Sequence, residues 1–126
     1  MNAFGAFVSA KAVVPEMIAR GRGAILFTGA TAGVKAGPKS AAFGPAKFAM
    51  RGLAESLARD LGPKGIHVAW INVDGAIKIP GREIRGLAPD AMLKPEAIAE
   101  TYWHLVHQDP SSWTQALEVR PFREKF

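Results

Sequence analysis

The sequence contains no cysteine. That absence excludes disulfides and cysteine-based metal sites, and it fits a cytoplasmic protein. Long apolar runs are missing too. None approaches the roughly 18 residues of a membrane span, so no membrane partner is expected. The opening segment MNAFGAFVSAKAVVPEM has neither a basic leader nor a continuous apolar block, and no signal peptide is expected from it. Runs of like charge are also lacking. The net charge is +5, from 16 basic and 11 acidic residues, but the cations are scattered as Arg20 and Arg22, Arg82 and Arg85, Arg120 and Arg123. Without an aromatic-basic platform beside them they read as solvated surface, and no nucleic acid is expected as a partner. There is no internal repeat and no low-complexity linker.

What is present suits one globular domain over residues 1–126. Apolar residues make up 48% of the 126 and charged residues 21%, which is the balance of a folded chain. Its core has less margin than that of a larger domain.

Residues 2–20 read as a helix. Phe4, Phe7 and Val8 share a stripe that Val14, Met17 and Ile18 continue, and Pro15 is a local fault expected to kink it. Glycines at 21 and 23 stop it. AILFT follows as a short buried strand, and residues 29–40 as a loop of small residues. Ser40 or a neighbour opens a second helix that runs to about Leu61, with Phe48, Met50, Leu53, Leu57 and Leu61 as its apolar stripe and Pro45 tolerated in the first turn. IHVAWINV is apolar at nearly every position, which predicts a strand buried on both faces, as in a parallel sheet. A loop runs to Lys94, and Pro95 starts a third helix to about Gln108, with Ile98, Tyr102, Leu105 and Val106 inward. TQALEVR reads as a last strand and PFREKF as a tail. Helix and strand alternate three times, which is the pattern of an α/β fold with about three parallel strands and three main helices.

Several residues invite chemistry that their context argues against. Thr28, Gly29 and Gly33 follow a strand as they do in a pyrophosphate-binding turn. Lys35 replaces the last glycine of that pattern, however, and Gly37 and Pro38 break any helix meant to begin there. The glycines therefore read as an inter-element loop. His104 and His107 are three apart on the third helix, but neither they nor His67 have a suitably spaced third ligand, so no metal is expected. Glu55 and Asp60, with Arg51 and Arg59 nearby, read as helix ion pairs rather than a carboxylate pair. Trp70, Trp103 and Trp113 read as core.

Four segments in order carry a family resemblance. MNAFGAF is similar to the Asn-x-x-Gly that opens a large helix in short-chain dehydrogenases/reductases. GAILFTGATAG is similar to their strand and Ser-x-x-Gly loop. FGPAKFAMRGLAESLARDLGPKGIHVAWINVDGAI is similar to their Tyr-x-x-x-Lys helix, the next strand and its Pro-Gly exit. LARDLGPKGIHV is a typical phrase of that family. The chain thus resembles the C-terminal half of the family's domain. The resemblance implies a partial Rossmann-like fold, NAD or NADP as cofactor, and hydride transfer to or from alcohols and ketones. Of the family's Asn, Ser, Tyr and Lys tetrad, it places the Asn at Asn2 and the Lys at Lys47. The Ser position falls on Ala30, the Tyr position on Phe43, and the Pro-Gly on Asp74 and Gly75. Lys47 and Gly75 are the implied cofactor contacts.

Phe43 has no proton to give and Ala30 no hydroxyl, with Thr28 and Thr31 as nearby stand-in donors. If the chain is whole, it also lacks the half that seats the adenosine. The expectations are then an inactive or impaired oxidoreductase that binds NAD(P) poorly, or a non-catalytic binding or assembly module. A homo-oligomer is expected, formed through the first two helices or the open AILFT edge. A partner chain that supplies the missing half is a further expectation.

Overall fold

A computed structural model describes residues 2–126. Helix α1 spans Asn2–Arg20, strand β1 Gly23–Ala30, helix α2 Phe43–Leu61, strand β2 Ile66–Val73, helix α3 Pro95–Val106 and strand β3 Ala116–Val119. Short 3-10 turns lie at Thr31–Gly33, Gly62–Lys64, Pro89–Ala91 and Pro110–Ser112. The strands form one sheet in the order β1-β2-β3, and both neighbouring pairs are parallel. The α/β class and the three parallel strands agree with the sequence reading.

The central strand explains the two layers. All eight residues of β2 are buried, and successive side chains point to opposite faces. Ile66, Val68 and Trp70 join Phe27 under α1 and α2, against Ala10, Met50, Ala54 and Leu61. Ala69, Ile71 and Val73 join Leu93 and Leu105 under α3. Both layers must be filled, so the strand reads as one apolar run rather than an alternation.

Several local expectations are corrected. β1 extends past AILFT to Ala30, because its pairing with β2 continues through Gly29 and Ala30 to Asn72 and Val73. α2 begins at Phe43, and the Ser40 hydroxyl bonds the Gly37 carbonyl instead of capping the helix. α1 continues as one helix past Pro15, which a kink also allows. It turns Ala6, Ala10, Val14 and Met17 to the core, because small side chains let it lie close to its neighbours. Phe4, Phe7, Val8 and Ile18 of the expected stripe stay exposed, and so do Phe48 on α2 and Val106 on α3.

The helices fix which end of the sheet carries the site. Gly65, just before β2, abuts the Gly21 carbonyl at the end of α1 so closely that a side chain there would collide with it. Both helix C-termini therefore lie at the amino end of the sheet. The starts of α1 and α2, with Asn2 and Phe43, lie toward the carboxyl ends of the strands, where open α/β sheets bind their ligands.

Candidate functional site

At that end β1 delivers Ala30 and Thr31, β2 delivers Asp74 and Gly75, and the first turns of α2 deliver Phe43 and Lys47. Phe43 and Lys47 are one helical turn apart and share a face. The Lys47 ammonium lies 5.5 Å from the centre of the Phe43 ring, and it donates a hydrogen bond to the Thr28 carbonyl at 3.3 Å. Lys47 is half-buried and Phe43 exposed. The ring offers its lysine only a cation–π contact, with no proton to relay. Ala30 is half-buried and carries no hydroxyl. Asn2 opens α1 and is exposed.

Both threonines near enough to stand in for the missing hydroxyl are engaged elsewhere. Thr31 donates its hydroxyl proton to the Asp74 carboxylate. The Thr28 hydroxyl lies 2.7 Å from the Tyr102 hydroxyl, on the α3 side of the sheet. Burial pushes the Tyr102 phenol above its ordinary value, and the Thr28 bond partly offsets this.

Asp74 is the feature that sequence reasoning misses. In sequence it stands only as a replacement for proline, although a carboxylate directly after eight buried strand residues is a usable signal. It is 4% exposed. One oxygen accepts from Thr31, and the other lies 3.2 Å from Arg120 Nε. That contact is an ion pair without hydrogen-bond alignment, since Arg120 Nε has no hydrogen-bond partner. Arg120 also pairs with Glu118 at 3.1 Å, and Asn72 donates to the same Glu118 carboxylate. The network ties together the carboxyl ends of all three strands. Gly75 follows at φ +145°, and a Cβ there would meet Pro121 at 2.9 Å, so the turn out of β2 requires glycine.

The remaining candidates are engaged in packing or lie elsewhere in the fold. A Cβ on Gly29 would lie 2.5 Å from the Trp70 indole, and one on Gly33 would lie 3.1 Å from it. The space these glycines leave is filled by Trp70, so they do not form a phosphate cradle. The residues present therefore do not fit a whole dinucleotide. Among the described residues no glycine loop is open to take the pyrophosphate. His67 is buried, and its Nε2 donates to the Thr114 carbonyl at 2.8 Å, while its ring stacks on Trp113 at 4.8 Å. His104 and His107 are exposed, and the His107 ring leans on Trp103 at 4.1 Å. No group of three potential metal ligands exists among the described residues. Trp70 is core, as expected, but Trp103 is 70% exposed. Glu55 pairs with Arg59 at 3.3 Å, and Asp60 pairs with Lys64 rather than an arginine, at 3.0 Å.

Comparison with known proteins places this geometry. The family model described as short chain dehydrogenase matches residues 1–78. Protein MoaE of Klebsiella aerogenes is 45% identical over 65 residues, which cover 52% of this chain and 25% of that protein. The crystal structure of a short-chain dehydrogenase from Rhodopseudomonas palustris superimposes with a TM-score of 0.78 at 39% identity, covering 97% of this chain and 49% of that one. The closed form of a serine dehydrogenase complexed with NADP+ gives a TM-score of 0.82 at 22% identity, covering 97% of this chain and 53% of that one. At that identity it shows the fold alone. The chain spans about half the length of these solved structures and between 22% and 30% of the curated relatives it matches.

Proposed function

Because the chain belongs to the short-chain dehydrogenase family, we propose that it is part of an NAD(P)-linked oxidoreductase fold for alcohols and ketones whose own tetrad positions support hydride transfer only in impaired form. The observation that carries this reading is the pair Phe43 and Lys47. The lysine sits one turn from the family's phenol position, on the shared helix face, and finds a bare ring there. General acid–base catalysis contributes roughly 10² to 10⁴-fold, and neither Phe43 nor Ala30 can supply it. The engagement of Thr31 with Asp74 and of Thr28 with Tyr102 leaves no evident substitute donor. In this reading Asn2 and Lys47 are the tetrad positions retained, and Lys47 and Gly75 are the contacts toward a nicotinamide cofactor. When bound, that cofactor supplies the hydride.

A second reading is a non-catalytic binding or assembly module. The exposed Phe4, Phe7, Val8 and Phe48 favour it, and so does the β1 edge, which pairs only with β2 among the described residues. A partner chain that completes the sheet at this edge belongs to either reading, and the cytoplasm is the compartment proposed for both.

Titration calorimetry with NAD(H) and NADP(H) tests the first reading. The expected outcome is no micromolar binding by the chain alone, since Trp70 fills the space beside the glycine turn after β1. A micromolar constant would overturn this and restore a competent cofactor site.

A further inference from the structure

Beyond Gly75 the chain does not return directly to α3. Residues 76–94 form a lobe closed at its base by two backbone hydrogen bonds, Lys78 N–H to the Leu93 carbonyl and Leu93 N–H to the Ala76 carbonyl, each 2.8 Å. A reverse turn bridges Ile79 and Arg82. Arg123 clips the far side by gripping both Asp90 oxygens at 2.9 and 2.8 Å. The lobe is therefore braced internally at its base and turn, and the Arg123–Asp90 pair ties it to the C-terminal segment. It encloses an open bowl of about 900 Å³, which is the size of a small-molecule site.

The lining of the bowl is amphipathic. Of its apolar residues Met92 is buried, and Ile79 and Ile84 stand exposed at 47% and 36%. Between them come Lys78, Arg82 and Arg85, with Glu83 as the one carboxylate in the lining. The neighbouring Arg123 is neutralised by Asp90, but among the described residues Lys78, Arg82 and Arg85 form no ion pair. Three cations without ion pairs against one carboxylate make the lining net positive beside its apolar side chains. Guanidinium groups recognise carboxylates and phosphates through paired N–H donors. Isoleucine and methionine take an alkyl body. The lining of the bowl begins at Lys78, three residues after Gly75, and Asp74 is bonded to the residue after Ala30.

We propose that the bowl formed by Lys78, Ile79, Arg82, Ile84, Arg85 and Met92 binds an amphipathic organic anion, an alkyl chain bearing a carboxylate or phosphate head, as the substrate class of this end of the sheet. That the anion is a substrate rests on the oxidoreductase reading. The test measures binding alone and needs neither cofactor nor turnover, so the two readings fail separately.

The test is titration calorimetry of the full chain with octanoate, octyl phosphate, 1-octanol and phosphatidylglycerol vesicles. Octanoate or octyl phosphate is expected to bind with a Kd below about 1 mM, and the tighter of the two identifies the head group. Octanol should bind at least about tenfold more weakly, because it offers the guanidinium groups no charge. Arg82→Gln and Arg85→Gln should each weaken the anion by about tenfold, and added salt should weaken it further. All three cations are exposed, so Lys78→Gln repeats the measurement if either arginine variant fails to fold. Equal binding of octanol and octanoate, no anion binding below about 1 mM, or binding to vesicles alone would each overturn the proposal.

Discussion

Phe43 differs from the residue its position implies by one oxygen, and much of the proposed chemistry depends on that atom. Restoring it with Phe43→Tyr, together with Ala30→Ser, returns both missing donors to the carboxyl end of β1 and the start of α2. We expect the double variant alone to show no measurable carbonyl reduction, followed by loss of NADPH absorbance, because a proton relay is useless without a seated dinucleotide. Turnover above background would mean that the cofactor site is more complete than Gly29, Gly33 and Trp70 imply. Tyr102 gives a second test at this scale. It is the single tyrosine of the chain, so absorbance at the phenolate band reports it alone. Its midpoint should lie above the ordinary value of about 10, since burial disfavours the phenolate. The folded phenol holds its proton more tightly than the unfolded one. The stabilisation is therefore complete below about pH 10 and is lost as pH rises through the folded midpoint. Thr28→Val removes the bond that favours the phenolate, so it should move the midpoint higher still.

At the scale of elements, the fit of β1 against β2 depends on what is not there. Gly29 leaves room for the Trp70 indole, and a Cβ would intrude to 2.5 Å. Gly29→Ala should lower stability by about 1–3 kcal/mol, the usual cost of overpacking a core. Gly52 supplies the opposite sign. It sits on the exposed face of α2, where an added methyl group would meet nothing within 4 Å. Alanine there should stabilise by about 0.5–1 kcal/mol through helix propensity. Urea midpoints for the two variants, measured side by side, check both. A neutral Gly29→Ala would show that the indole can move aside.

At the scale of the whole molecule, apolar surface remains uncovered. Phe4 is 72% exposed and Phe7 50% on the outer face of α1, and the β1 edge is open among the described residues. Burial is worth about 25 cal/mol per Å², so each further 1,000 Å² covered yields a gross gain of about 25 kcal/mol. That exceeds an association cost of roughly 4–15 kcal/mol. We therefore expect a homodimer or larger homo-oligomer by sedimentation at low micromolar concentration, formed across α1 and α2 or by strand pairing at β1. A soluble, well-folded monomer of 13.5 kDa would count against it.

The sequence by itself determined the alternation of helix and strand, the double burial of Ile66–Val73 and the family. Those signals are local: a period, a glycine stop, or a motif spacing is written in neighbouring residues. It could not say which face of α1 turns inward. Alanines and phenylalanines both fit an apolar stripe, and only close packing against α2 and β1 chose Ala6 and Ala10 for the core over Phe4 and Phe7. Nor could it join Thr31 to Asp74, or Thr28 to Tyr102. These partners lie 43 and 74 residues apart in the chain, and no local pattern encodes their contact. The parallel register of β1 and β2 brings Thr31 beside Asp74, and the packing of α3 on the sheet brings Tyr102 to Thr28; both are properties of the folded molecule.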